Sequence, residues 1–525
     1  MSNLQLLIAH TIEDIDRFCL RALRCPDALA IKNKLKARDR LLRKPIEWVL
    51  QHPNYVNWQQ GSDFCLLWLK GGAGKGKTMI SVYIVERLST LRNNSTAVIY
   101  FFCRNDNNEL NSPEAIIKGL IFRLIDQQKE LKESLRRRWD TGNDCFNEDV
   151  TSWQILWNIF LEMLDHCKLQ HLYVVIDGLD ECLDEGMDEL LKLIVRTGLE
   201  HHTKVKWLLT SRPLDIAEKE LLSGHEELGL SLDLSMQQVL EGIKMYITSK
   251  VTELNQRHRY GETLQQKVEA ELTAKAEGTY LWVSLVCEKL EDVPRDKALS
   301  TIAELPPGLR PLYHRMLNQL SNGKPDDVQK CMRLLKAMML VYRPLDVREV
   351  GSVTGLTDED LSMRATVDRC GSFIKMLGTK IEFVHLFARD YLAGEEGRTI
   401  LDAHEHWGNI ELALSCLSYL SELLKPNLVD LPRSDSTSQS VKELNEEKNK
   451  LLASVGYAST FWIQHLEAAS RTVTIKNASA KAVHTFLCNK FLEWLECLSL
   501  LDKLPHAIEA LTFLSNEKKV SRTIY

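Results

Sequence analysis

Apolar residues follow two rhythms along this chain, and the change of rhythm divides it. Between residues 63 and 234, short and nearly continuous apolar runs recur at 64–69, 97–102, 172–176, 205–210 and 229–234. Runs of that length read as buried strands. Helical periodicity fills the intervals, most clearly at 112–124 and 153–164. Strands alternating with helices predict an α/β core, a parallel sheet with helices on both faces. Beyond 234 the period lengthens: Ile243, Ile247, Val251 and Leu254 share one helical face, so 235–304 is expected to be a small helical domain. Pro306-Pro307-Gly308 ends it, since proline and glycine break regular structure. Leu309, Leu312, Met316 and Leu320 restart a helix, a second helix is expected at 328–341, and Tyr342-Arg343-Pro344 turns the chain. Residues 380–384 read as a wing strand, and helices followed by strands fit a winged helix over 306–395. The remainder, 396–525, is helical again, with Leu487, Phe491, Leu495, Leu498 and Leu501 as an apolar stripe and a serine-rich break at 432–440 expected to be mobile. Residues 1–62 read as helical and connecting segments, with a charged stretch at 33–43 and a short helix at 45–50, too little for an independent effector domain.

The first strand runs directly into Gly71-Gly72-Ala73-Gly74-Lys75-Gly76-Lys77-Thr78, which fits G-x-x-x-x-G-K-[ST] without a mismatch, and an apolar helix opens at Met79. Strand, glycine loop and helix is the arrangement that cradles a triphosphate. Glycines allow consecutive N–H groups to face inward, and the helix N-terminus adds positive potential at the same point. Lys77 is placed for the β- and γ-phosphates and Thr78 for Mg²⁺, and Met79 joins the nucleotide-binding set. The second chemical feature is the strand His171–Ile176, which ends in Asp177-Gly178-Leu179-Asp180-Glu181. An acid at the tip of a buried strand is the usual second Mg²⁺ anchor, so Asp177 takes that role, while Asp180 and Glu181 are candidates to orient or deprotonate the attacking water. Asp184 and Glu185 read as solvated carboxylates. The strand 205–210 ends in Ser211-Arg212-Pro213. Arg212 is either a γ-phosphate sensor or a surface residue after a turn, and position alone leaves both open.

Together these residues resemble the NACHT class of signal-transducing P-loop NTPases, and within it the fungal NLR-like (STAND) proteins. Four further stretches are similar to fungal members: Leu23-Arg24-Cys25-Pro26-Asp27, Ala276-Glu277-Gly278-Thr279-Tyr280-Leu281-Trp282-Val283, Leu305-Pro306-Pro307-Gly308-Leu309, and Val384-His385-Leu386-Phe387-Ala388-Arg389-Asp390-Tyr391-Leu392. The resemblance implies a switch in which ADP holds a closed monomer and ATP opens it into an oligomer that activates a protein effector. It implies γ-phosphate sensing by Arg212 and a latch from His385 to the ADP phosphates; without it, His385 reads as a core histidine. It also implies a strand between the phosphate-loop strand and the Asp177 strand, and adenine rather than guanine, so that GTP stays open on the residues alone. Many relatives carry Gly-x-Pro in the first helical domain; here the comparable stretch is Gly278-Thr279-Tyr280, without the proline. The N-terminal effector domain and C-terminal repeats expected of the architecture are not visible.

At 525 residues the chain exceeds a single core, and five parts are expected: 1–62, 63–234, 235–304, 306–395 and 396–525. Lysine and arginine total 66 against 72 acids, a formal charge of -6. That balance argues against a nucleic-acid-stimulated motor ATPase, which needs a basic track; Arg136-Arg137-Arg138 reads as a solvated face. The 13 cysteines include no C-x-x-C pair, which predicts reduced thiols and a cytoplasmic setting. His166-Cys167 and His201-His202 lack companions at zinc spacing. No signal peptide is evident, and no apolar run approaches the ~18 residues a membrane span needs. Slow hydrolysis is the expected activity, with a non-catalytic nucleotide-binding scaffold as the alternative.

Overall fold

The computed structural model describes residues 14–516 apart from 24–25, 40–43, 62–63, 92–94, 142–151, 183–185, 202–203, 222–228, 235–236, 357–359, 405–406, 431–445 and 471–476. Arg24, Cys25, Asp184, Glu185, His202 and the serine-rich break therefore lie outside the described residues. The chain forms two compact units, residues 1–312 and 313–525.

The first unit is built on five parallel strands: β1 Leu66–Lys70, β2 Thr96–Phe102, β3 His171–Asp177, β4 Val205–Ser211 and β5 Gly229–Asp233. Their order is β2-β3-β4-β1-β5. Every residue of β2 and β4 is buried, as are six of the seven in β3, which explains why these strands read as continuous apolar runs rather than alternating ones. β4 lies between β1 and β3, so the intervening strand that the resemblance implied is the one ending in Ser211-Arg212. The sheet is flanked by α1 Lys77–Ser89, α2 Pro113–Gln127, α3 Trp153–His166 and α4 Met187–Glu200. Ser112 caps α2 by accepting from the Ala115 N–H at 3.2 Å, and Pro113 occupies the first turn, where a missing N–H costs nothing. Trp157 stacks on Trp207 with ring centroids 6.2 Å apart, and Trp68 donates its indole N–H to Ser211 Oγ at 2.9 Å. The segment at 45–50 is a 3-10 helix, Lys44–Gln51. After β5 the unit continues as α5 Gln237–His258, α6 Glu262–Lys275, α7 Tyr280–Leu290 and α8 Ala298–Glu304.

Helix α9, Leu309–Ser321, runs across the boundary between the units. The second unit holds α10 Pro325–Leu340, a three-stranded antiparallel sheet (β6 Leu345–Asp346, β7 Ile374–Leu377, β8 Lys380–Phe383, in the order β6-β8-β7) and α11 Leu386–Ala393. Long helices follow: α12 Asn409–Leu423, α13 Glu446–Ser470, α14 Asn477–Leu500 and α15 Pro505–Asn516. Of the five residues of the apolar stripe expected at 487–501, one is buried. Leu498 is buried, but Leu487, Phe491, Leu495 and Leu501 are half-exposed, and the covered face carries Val483, Phe486, Trp494 and Cys497.

Candidate phosphate and magnesium site

The site lies at the carboxyl ends of β1, β3 and β4, where helix N-termini and strand-end side chains converge in an open parallel sheet. The loop after β1 turns through Gly74 (φ 72°) and Gly76 (φ 87°), left-handed values that glycine adopts without a Cβ penalty. Gly76 is the N-cap of α1. The start of the loop is fastened to β4 by Gly71 N–H donating to Ser211 O at 3.2 Å. A Cβ at Gly71 would meet Leu234 Cβ at 2.8 Å, whereas Gly72 faces open space. Ala73, Thr78 and Met79 are half-buried around the turn.

Lys77 and Lys75 diverge. The Lys77 ammonium arches back over the loop to donate to Gly71 O at 2.7 Å and Gly72 O at 3.1 Å. Burial pulls its pKa below the usual lysine value; Asp180, Asp177 and Glu181 oppose that shift and Arg212 adds to it. The Lys75 ammonium instead leaves the cradle and donates to Gly278 O at 2.7 Å. In the same turn Tyr280 N–H donates to Gly74 O at 2.9 Å, and the Tyr280 hydroxyl donates to Pro45 O at 3.0 Å. A Cβ at Gly76 would lie 3.2 Å from the Tyr280 ring. The turn 277–280 is therefore bonded to the phosphate loop from outside the sheet.

Asp177 closes the other side. It is 3% exposed, and its Oδ1 accepts from Ser81 Oγ at 2.7 Å and Thr210 Oγ1 at 2.6 Å. Burial raises its pKa, against the pull of Thr210, Ser81, Thr78 and Lys77. Thr210 Oγ1 also accepts from Gly178 N–H at 3.0 Å, tying β4 to the turn after β3. Glu181 sits beside Gly178, and its Oε2 is buried without a hydrogen-bond partner. Its proton affinity is raised strongly by burial, then by Asp180, Asp177 and Asp106, with Arg104 opposing. Asp180 behaves differently: its Oδ1 accepts from Arg212 N–H at 3.0 Å and its Oδ2 from Arg212 Nε at 3.0 Å.

Hard cations take oxygen ligands, and Mg²⁺ usually keeps several waters and adds one or two carboxylates and the substrate phosphates. Thr78, Asp177 and the orphaned Glu181 oxygen fit that donor set. Among the described residues no cluster of three or more His, Cys, Asp or Glu is placed to hold a metal by itself, so an ion here would lean on phosphate and water.

Ser81, Thr210 as an Asp177 partner, and the Arg104–Asp106 pair (Nε–Oδ1 2.9 Å, NH2–Oδ2 2.6 Å) escape a reading of motifs. Ser81 sits one turn of α1 beyond Lys77, a spacing that offered a signal. His385 is in the second unit, where it is the N-cap of α11 and its Nδ1 accepts from Phe387 N–H at 3.0 Å.

The family model described as Nephrocystin 3, N-terminal, matches residues 45–212. The vegetative incompatibility protein HET-E-1 of Podospora anserina is 30% identical over 526 residues, taking in 95% of this chain and 38% of that protein. The chain thus spans well under half of that relative's length. Among solved structures it is similar to the Walker-type ATPase of Pyrococcus abyssi (TM-score 0.33, 14% identity, 67% of this chain and 96% of that one). It is also similar to the Orc1 protein of Aeropyrum pernix in complex with DNA (TM-score 0.31, 15% identity, 68% of this chain and 94% of that one). Likenesses of that size carry no conclusion about function. No helix among the described residues is long and apolar enough to cross a membrane.

Proposed function

The chain belongs to the NACHT class of P-loop NTPases, with the fungal NLR-like proteins, and from that premise we propose that it is a nucleotide-gated switch with slow hydrolysis, acting in non-self recognition. The observation that carries the reading is the wiring of the phosphate loop. Gly74 O and Lys75 are both bonded to the turn 277–280, which opens helix α7 outside the sheet. A cradle whose backbone is shared with a second module cannot adjust to a ligand without that module feeling it.

In this reading the loop from Gly71 to Met79 holds the phosphates of ATP or ADP, Lys77 exchanges its carbonyl partners for phosphate oxygens, and Thr78 and Asp177 hold Mg²⁺. When bound, the ion neutralises charge building on the β- and γ-oxygens. Glu181, with its orphaned oxygen and high proton affinity, is the water-activating base. The antiparallel sheet and the helices around it support a winged helix in the second unit. His385 there is the diphosphate latch: with Nδ1 accepting from Phe387, the neutral ring carries its proton on Nε2, which makes Nε2 the donor. Moving a population from 1:99 to 99:1 takes roughly 5.5 kcal/mol of differential binding, and one charge-assisted bond supplies ~1.5–3 kcal/mol. A second input is needed, from oligomer contacts or an effector protein in the cytoplasm.

Purified protein tests the reading directly. Wild type is expected to carry or take up ADP and ATP with Mg²⁺, Lys77→Ala to come out empty, and an ATP analogue to raise the mass of the assembly. If wild type binds neither nucleotide the switch is wrong; if it binds both with no change of mass, the protein is a nucleotide-binding scaffold.

A further inference from the structure

Gly74 of the phosphate loop is covered by side chains as well as bonded through its carbonyl. A Cβ there would lie 2.9 Å from Leu309 Cδ1, 3.2 Å from Leu281 Cβ and 3.4 Å from Thr279 Cβ. Space therefore demands glycine here, as does the φ of 72°. Leu309 is buried and is the first residue of α9. The segment that delivers it is braced against the residues around the turn 277–280. Lys275 Nζ donates to the carbonyls of Ile302, Ala303 and Leu305 at 2.8 Å each. Gly308 N–H donates to Lys275 O at 3.1 Å, and Trp282 Nε1–H to Pro306 O at 3.1 Å. Pro306 and Pro307 add two fixed φ angles. Leu309 is thus carried by the same turn that holds the loop.

Resting on the nucleotide reading above, we propose that Leu309 couples the phosphate loop to helix α9: the nucleotide sets the position of Gly74, and Leu309 passes it to a helix that continues into the second unit. Gly74 O and Lys75 N–H belong to one planar peptide. In an anion nest successive N–H groups turn toward the bound charge. Tilting this N–H tilts the carbonyl that Tyr280 N–H holds at 2.9 Å. Leu309 rests against the same glycine, so it follows. Helix α9 is continuous over 13 residues and about 20 Å long at 1.5 Å per residue. Its residues 309–312 lie in the first unit and 313–321 in the second. A rigid element seated on a ligand loop is a physical carrier of coupling. The contact is apolar and separate from Lys77, Thr78 and Asp177, so it can be shortened with the phosphate and Mg²⁺ ligands in place.

The test is amide hydrogen exchange over 313–321 in the full chain, with Mg²⁺ and either ADP or a non-hydrolysable ATP analogue, alongside the affinities for both. Wild-type protection there is expected to differ at least about fivefold between the two nucleotides, and Leu309→Ala to narrow the difference below about twofold. Both affinities should stay within about fivefold of wild type, the most that a coupling of that size can move them. Leu309→Val removes the δ-carbons for the loss of one methylene, and it decides the matter should Leu309→Ala not fold. Leu312→Ala controls for simple fraying: it cuts another buried leucine of the same helix and should keep the difference. An equal loss in Leu312→Ala overturns the proposal. So does a difference that survives in Leu309→Ala or Leu309→Val, even with a lower melting temperature, because the hydrogen bonds of the turn 277–280 would then carry the coupling alone. Wild type that binds both nucleotides with no difference over 313–321 sinks this inference only, whereas wild type that binds neither sinks the underlying reading as well.

Discussion

Two buried carboxylates, one in each unit, show how differently the same group is treated. Glu349 in the second unit is 1% exposed. Arg343 meets it with two bonds, NH1 to Oε2 at 2.8 Å and NH2 to Oε1 at 2.7 Å. Backbone N–H groups of Asp346 and Tyr457 add 2.8 and 2.9 Å contacts. Tyr457 continues the network through its hydroxyl to His465 Nε2, 2.8 Å away, and His465 Nδ1 reaches Asn409 Oδ1 at 2.8 Å. Burial takes the His465 pKa down to about 3, so this network is built around a neutral ring. Asp177 is as deeply buried but is met by two hydroxyls, with Thr78 and a lysine adding a weaker pull. A carboxylate matched by a fork of guanidinium bonds and amides is complete. One held by hydroxyls in low dielectric keeps a raised proton affinity, and a cation relieves it.

Lys77→Ala should produce the largest effect on this contrast: nucleotide binding falls by roughly ten- to a hundredfold, the loss of a charge-assisted contact, with melting temperature nearly unchanged. Equilibrium dialysis against ADP checks it, and retained affinity would break the functional half of the comparison. Next come matched amide substitutions. Glu349→Gln leaves Arg343 without its counter-charge and should cost roughly 3 kcal/mol of stability in denaturant melts. Asp177→Asn should leave nucleotide-free stability equal or higher while removing the Mg²⁺ dependence of nucleotide binding. Equal destabilisation by both would show that the two carboxylates are not different in kind.

A smaller effect is expected from pH. Since the Asp177 pKa is raised in the folded state, its contribution to nucleotide-free stability is present below the ordinary carboxylate range and lost as pH rises through the raised value. Mg²⁺ binding needs the ionised form, so Mg²⁺-nucleotide affinity should weaken as pH falls through the same value. Melting temperature and affinity, each taken as the difference between wild type and Asp177→Asn across pH, should therefore run in opposite directions; parallel slopes would contradict the assignment. The smallest change tests the tether: Tyr280→Phe removes the bond to Pro45 O and should cost about 1 kcal/mol, read by thermal melting.

Much of the first unit was legible from residue order because its causes are local. Glycines at 74 and 76 are needed where φ is positive, and β2 to β4 are buried on both faces, which writes them as apolar runs. Asp177 could be found because it ends such a run. The helical part was less readable. On α14 two adjacent faces are apolar, and helical periodicity cannot say which one the neighbouring helices cover; Trp494 donating its indole N–H to Ser459 O at 2.9 Å marks the face that is.

By itself, the amino-acid order determined the phosphate loop, the strand-tip acid and the class of fold, since each is specified by spacing within one strand–turn–helix segment or one apolar run. Only the tertiary structure decided the partners: Ser81 and Thr210 on Asp177, Arg212 on Asp180, Gly278 on Lys75. Those pairs join residues from 32 to 203 positions apart. Hydrogen bonds and ion pairs act over about 3 Å, so which groups meet is settled by strand order and helix packing, which no local pattern records.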